Sequence, residues 1–332
     1  MIKRRARTYK VVVERYLTRK ARGIVLPGER GLSVYDVGKY LLKEVTFLRL
    51  QERVAAVTYS FLMAIPPTLL FLFSLVPYLP LKNVEQTILN ALKMLTPNRS
   101  IYNSVSKVVV DFMRTQHHSI LSFGLLLVLY YASNGMMGLM KTFDRSMSLF
   151  KSSQNLYKKR GPVRRRWTAI KLTIILISMM IVMIAVLIIQ NKRFIQNRQL
   201  HLWVLKVFKN TFMAQTLSYT ILVLVVFLSI CTIYRYGPSL KHKFKFVSFG
   251  AIFATLSSLA ATSVFFFLVN NFLNYNKVYG SIGTLMAFMV WVWMNTGIIL
   301  LGYEINVSIL LGKLAKEQKQ KARKNKEIEG DE

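Results

Sequence analysis

Six long apolar stretches separated by polar, basic segments set the pattern of this chain: residues 54–79, 119–140, 172–190, 211–234, 246–276 and 278–312. None carries the polar face that a helix of a soluble bundle keeps toward water. Each matches or exceeds the roughly 20 residues that take an α-helix across a bilayer. The pattern therefore predicts an all-α polytopic membrane protein with six transmembrane helices. Between the fifth and sixth stretches, Asn274, Asn276, Gly280 and Gly283 predict a tight turn.

The flanking segments have their own periodicity. Val34, Val37, Leu41, Val45 and Leu48 fall on one helical face behind Ser33 as N-cap and Asp36 at the capping-box position. This predicts an amphipathic helix over 33–50, lying at the membrane surface and leading into the first span. Residues 81–118 carry two amphipathic stripes around Thr96-Pro97-Asn98 and are read as a helical hairpin on the outer face. Inside the first span, Pro66 and Pro67 remove backbone donors and predict a kink, as a fixed packing bend or as a hinge. In the second span, Ala132, Ser133, Gly135 and Gly138 form a small-residue surface for close helix packing, with Asn134 turned toward the bundle. The organisation is a basic tail (1–32), a membrane domain (33–312) and a charged tail (313–332).

Charge supplies the orientation. The chain carries 46 Lys+Arg against 14 Asp+Glu, a formal net charge of +32, which few soluble domains combine with 53% hydrophobic residues. Of those 46 cations, 35 fall in residues 1–53, 141–171, 235–245 and 313–332, on one side of the predicted spans. By the positive-inside rule both termini are expected in the cytoplasm. The densest basic cluster, Lys158 to Trp167, suffices to fix topology and also suits anionic lipid headgroups, the expected partners; no nucleic acid is expected. Cys231 is the single cysteine, so an intramolecular disulfide is excluded. No cleavable signal core precedes the first span, which is expected to act as the retained targeting signal.

Glu304 is the one Asp, Glu, Lys or Arg inside the six stretches. An acidic side chain near a helix centre in a membrane costs roughly 3 kcal/mol, so it is expected to be paired, protonated or wetted. At helical spacing Gly297, Leu300, Leu301 and Ser308 share its face. Arg145 and Arg235 approach from the cytoplasmic side as candidate partners, with Asp144 beside Arg145 at the membrane edge. Two roles stand open for Glu304: a structural ion pair, or a group lining a polar cavity that titrates or orients a cation during transport. The four histidines (His117, His118, His201 and His242) fit no metal-ligand spacing, and no P-loop, nucleophile elbow or dinucleotide fingerprint is present. No catalytic, cofactor or metal-binding residues are expected.

"YRYGP" (234–238), "GAIFATL" (250–256), "NYNKVYGSIGTLMAFMVWVWM" (274–294) and "LLGYEIN" (300–306) resemble the YihY/virulence factor BrkB family, as does "AAVTYSFLMAIPPTLL" in the first span. The resemblance covers about residues 33–312. Its most specific part is the Tyr279-Gly280-Ser281 turn leading into the Trp-rich last span and Gly302-x-Glu304. One departure is Asp144, in "TFDRS", where the family often has asparagine. The resemblance implies a six-span protein of the bacterial cytoplasmic membrane, with proposed roles in transport or lipid movement; some members were labelled ribonucleases. Transport of a lipid or amphiphilic anion is the leading expectation, beside a membrane scaffold and a membrane-bound enzyme.

Overall fold

The computed structural model describes residues 33–47, 50–75, 99–114, 118–148, 157–158, 160–190, 211–271 and 281–329, with isolated positions at 23, 86, 88–90 and 92. Among these residues the structure consists of helices joined by turns and irregular segments, with an isolated antiparallel bridge between Tyr157 and Leu240. The helices are α1 (Val34–Phe47), α2 (Leu50–Leu62), α3 (Ile65–Leu75), α4 (Arg99–Arg114), α5 (His118–Ser148), α6 (Pro162–Gln190), α7 (Thr211–Tyr236), α8 (Phe249–Asn271) and α9 (Ser281–Glu329).

Among the described residues five helices are long and apolar enough to cross a membrane: α5 over Ser122–Ser146, α6 over Pro162–Met183, α7 over Tyr219–Tyr236, α8 over Phe249–Val269 and α9 over Leu285–Ala322. A helix satisfies its own backbone hydrogen bonds, which an apolar phase demands. The first apolar stretch is different, because it is divided between α2 and α3. Pro66 and Pro67 lie in the first turn of α3, where the missing N–H groups have no intrahelical partner to lose. The chain breaks just before them: Ala64 N donates to Phe61 O at 3.0 Å, one residue short of the α-helical spacing. The expected kink is thus a full stop and restart, and neither half alone spans a bilayer.

At the start of α1, Asp36 N donates to Ser33 Oγ at 3.2 Å and Ser33 Oγ donates to Asp36 Oδ2 at 2.9 Å, the expected capping pair. The apolar face of α1 rests on protein, with Val37 and Leu41 packed on Ile305 and Ile309 of α9. In the region of the expected outer hairpin (81–118), α4 packs on α3, and residues 81–98 lie mostly outside the described residues. So do Tyr279 and Gly280 of the family-like turn, while Ser281 opens α9.

α9 is the hub, packing on α1, α2, α5 and α8; α5 packs on α2, α3 and α6, and α7 joins α6 to α8. The small-residue surface of α5 receives α2, since a Cβ at Gly135 would lie 2.6 Å from the Phe61 ring and one at Gly138 3.6 Å from Ser60 Oγ. The main core lies toward the end of the bundle that bears the basic segments, hereafter the basic end, and includes Val57, Phe143, Tyr234, Leu300 and Tyr303. Elsewhere large apolar side chains face outward, among them Phe123 and Leu126 on α5, Ile181 on α6 and Phe267 on α8. So much exposed apolar surface suits lipid rather than water.

Candidate functional site

Glu304 is completely buried, and the cation beside it is Arg53, not Arg145 or Arg235. Arg53 Nη2 lies 2.7 Å from Glu304 Oε1, with side chains 4% and 0% exposed. Ser146 Oγ donates to the same Oε1 at 2.6 Å and accepts from Arg53 Nη2 at 2.8 Å, while Thr142 O accepts from Nη2 at 2.9 Å. Three acceptors crowd one nitrogen that bears two hydrogens, so its bonds are shared. The network ties α2, α5 and α9 together. Arg53 Nε, Arg53 Nη1 and Glu304 Oε2 are buried and make no hydrogen bond among the described residues. A buried charge pair with unmet valences costs stability to form, and removing one partner costs more.

Arg145 is exposed on α5, and Arg235 Nη1 donates to Phe244 O at 3.5 Å, so the two expected cations are engaged elsewhere. Arg53 escaped notice because it directly precedes the first apolar run and reads as the last residue of a basic tail. Its position one turn inside α2 carries it into the bundle.

The residues around Glu304 on α9 each point to a different neighbour. Gly302 lets α8 and α7 approach: a Cβ there would lie 2.5 Å from Tyr234 Oη and 2.7 Å from Gly250 O. A Cβ at Gly250 would overlap the Gly302 carbonyl, so the two glycines form one crossing. Tyr303 stacks on Phe143 at 4.0 Å between centroids and donates to Phe143 O at 3.2 Å. Asn306 accepts from Gly250 N at 2.8 Å and donates to Ser248 Oγ at 2.9 Å, capping α8 from the side. Tyr234 Oη donates to Ile299 O at 2.6 Å. The short motifs 250–256 and 300–306 are thus one interface.

Asp144 anchors the turn after α7. Its carboxylate accepts from Ser239 N at 2.8 Å and Ser239 Oγ at 2.9 Å, with Arg165 Nη2 at 3.6 Å. Arg160 donates to the carbonyls of Tyr236, Gly237 and Pro238 at 3.2, 2.8 and 2.9 Å, satisfying the C-terminal end of α7. Burial lowers the Arg160 pKa from its ordinary value, and the charge of Asp144 opposes that shift. Asn134 accepts from Arg166 of α6, whose guanidinium also lies 4.4 Å over the Tyr130 ring. Further along, Asn295 of α9 accepts a hydrogen bond from Ser258 Oγ of α8. Among the described residues no group of three or more His, Cys, Asp or Glu gathers as metal ligands.

Beside this sealed core, a cleft of about 450 Å³ opens at the basic end, where the segment between α7 and α8 meets α9. Among the described residues, Lys243, Lys245, Lys313 and His242 line it together with apolar groups such as Phe249 and Ile309.

Comparisons place this arrangement. The relatives include the ribonuclease-like protein YfkH of Bacillus subtilis (strain 168), 28% identical over 268 residues, which cover 81% of this chain and 93% of that one. The UPF0761 membrane protein IL2447 of Idiomarina loihiensis is 29% identical over 76 residues, 23% of this chain and 27% of its own length. No solved structure matches. A model of the family described as virulence factor BrkB matches residues 41–327, which includes Arg53, Ser146, Glu304 and the basic cleft: the chain is a membrane protein of the BrkB family.

Proposed function

We propose that this protein crosses the bacterial cytoplasmic membrane six times, with both termini in the cytoplasm, and handles a lipid or amphiphilic anion there. The single observation that carries the reading is the cleft at the basic end, whose rim is cationic and whose walls are apolar. Such a site suits a molecule with an anionic head and a hydrocarbon body. The sixth span is α2 and α3 taken together, which run from Leu50 to Leu75 with the proline break inside. The side bearing 35 of the 46 Lys+Arg is assigned to the cytoplasm.

The test is reconstitution of the purified chain in liposomes containing headgroup-labelled anionic or zwitterionic lipid, followed by the rate at which label crosses the bilayer. Acceleration of the anionic label over protein-free vesicles is expected. Without acceleration, the movement reading fails.

One observation favours a second reading, a scaffold that organises lipid without moving it: the Arg53–Ser146–Glu304 network closes the core between α2, α5 and α9. The ribonuclease-like name of the Bacillus relative points to a third reading, and we take the non-enzymatic one. Hydrolysis of RNA by the purified chain, abolished by a point substitution, would overturn it.

A further inference from the structure

Arg164, Arg165 and Arg166 follow one another near the start of α6, and the fold treats them differently. Arg165 Nη2 lies 3.6 Å from the buried carboxylate of Asp144. Arg166 donates to Asn134 and sits over the Tyr130 ring, both on α5. Arg160, just before the helix, is held by the three carbonyls at the end of α7. Arg164 is exposed, as is Lys171, and among the described residues neither side chain makes an ion pair. The charge around them is unbalanced: burial lowers the Arg160 pKa, Asp144 opposes that shift, and Arg164 and Arg165 lower it further. Charge anywhere in this segment would fix topology, so the outward placement of Arg164 and Lys171 needs a separate cause.

The two cations share a stripe with apolar groups. Arg164, Trp167, Lys171, Ile174 and Ile181 recur at spacings of three, four, three and seven, which keeps them within about 100° of the helix surface. Trp167, Ile174 and Ile181 are 61%, 50% and 58% exposed, so the stripe faces lipid. α6 starts at the basic end, and the Cα–Cβ bonds of a helix tilt toward its N-terminus. The Lys171 ammonium therefore reaches back along Trp167 toward the headgroups. From Lys171 to Ile181 the stripe covers about 15 Å of helix, half of the ~30 Å hydrocarbon thickness of a bilayer. Two cations and an indole above one leaflet's depth of apolar surface complement a lipid with a negative headgroup.

We infer that this stripe of α6 holds one anionic phospholipid of the leaflet at the basic end. Its phosphate lies between the Arg164 guanidinium and the Lys171 ammonium, the Trp167 indole lies at the level of the glycerol, and an acyl chain runs along Ile174 and Ile181. The site is separate from the basic cleft, whose lining among the described residues holds none from α6, and it does not rest on movement of lipid.

The test uses the full chain with Ile174→Cys in a Cys231→Ser background, labelled with a fluorophore and reconstituted in phosphatidylcholine vesicles. Trace phosphatidylglycerol or phosphatidylcholine, spin-labelled on the acyl chain, is then added as a quencher. Quenching by the phosphatidylglycerol probe is expected to be the stronger, whereas a label at Val264→Cys, 57% exposed on α8, shows no preference between the two. Arg164→Gln and Lys171→Gln are each expected to lower the preference at position 174 by up to roughly fivefold. Trp167→Ala keeps both charges and is expected to lower it less. All three residues are exposed, so these variants keep the fold, which thermal unfolding checks. Lys158→Gln removes an exposed charge from the same basic segment, off the stripe, and is expected to leave the preference unchanged. Equal quenching by both probes at position 174, a preference that survives Arg164→Gln and Lys171→Gln, or an equal loss from Lys158→Gln overturns the assignment. Displacement of the lipid probe by excess glycerol phosphate overturns it as well, because the cations then serve a soluble anion. The expected preference without any bilayer crossing leaves this site standing and removes only the movement reading.

Discussion

The two halves of the apolar run in α9 meet opposite surroundings. From Leu285 to Trp293 the large side chains look outward: Leu285, Met286, Phe288, Met289, Val290 and Trp293 are all exposed. From Leu300 to Leu311 the helix is enclosed, with Leu300, Tyr303, Glu304, Val307 and Ser308 at 0% exposure. Polarity and size distinguish the halves, in the reverse sense from a water-soluble protein. The enclosed half holds Gly302, Glu304, Asn306 and Ser308, each against a protein partner or in the tightest packing. In this chain a small or polar residue in an apolar helix marks the buried side, and a run of bulky apolar residues marks the lipid side.

The largest expected effect that would break this contrast is at the ion pair. Arg53→Ala or Glu304→Leu alone leaves one buried charge without its partner and is expected to cost about 3–5 kcal/mol. The measurement is unfolding of the purified protein in detergent by heat or denaturant. Arg53→Met combined with Glu304→Leu removes both charges and is expected to recover most of the loss. Single variants as stable as the parent would show that the enclosed half does not depend on the pair.

Next in size is a substitution expected to change sign along the same helix. Gly302→Ala places a methyl 2.5 Å from Tyr234 Oη and 2.8 Å from Ala254 Cβ, pushing α8 from α9, and is expected to cost about 2 kcal/mol. Gly297→Ala meets the Val54 methyls at 3.8 Å, ordinary contact, and removes a helix-interior glycine. It is expected to gain about 0.5–1 kcal/mol. If both changes destabilise equally, the crossing at Gly250 and Gly302 has no special closeness.

Local signals were readable in the chain: the cap of Ser33, the break at Pro66-Pro67 and the small-residue surface of α5 each rest on neighbours in sequence or on residue type. Glu304 stood out because a carboxylate in an apolar run is costly wherever it lies. Its partner was not readable, since hydropathy gives spans but not which spans touch. Arg53 is 251 residues from Glu304 along the chain, and they meet because α2 packs on α9. Arg145 and Arg235 lie at a similar depth, but helix packing brings Arg53 to the carboxylate instead. The basic cleft was equally hidden: "KHKFKF" reads as a topology signal until α9 brings Lys313 beside it.

The smallest expected effect sharpens the boundary between the two halves, at two tryptophans separated by a single residue. Trp291 is half-buried and donates from Nε1 to Thr262 Oγ1 at 3.2 Å on α8, whereas Trp293 is 46% exposed. Trp291→Phe removes a partnered donor and leaves a polar neighbour, so it is expected to cost about 1 kcal/mol. Trp293→Phe keeps an aromatic surface toward lipid, so stability is expected to stay within about 0.5 kcal/mol. The same pair has an independent readout in vesicles containing brominated lipid, which quenches indoles that touch the hydrocarbon. Trp293→Phe is expected to remove more of the quenchable emission than Trp291→Phe does. The opposite order in both measurements would turn this face of α9 toward protein, and the outward half of the helix would need a partner in place of lipid.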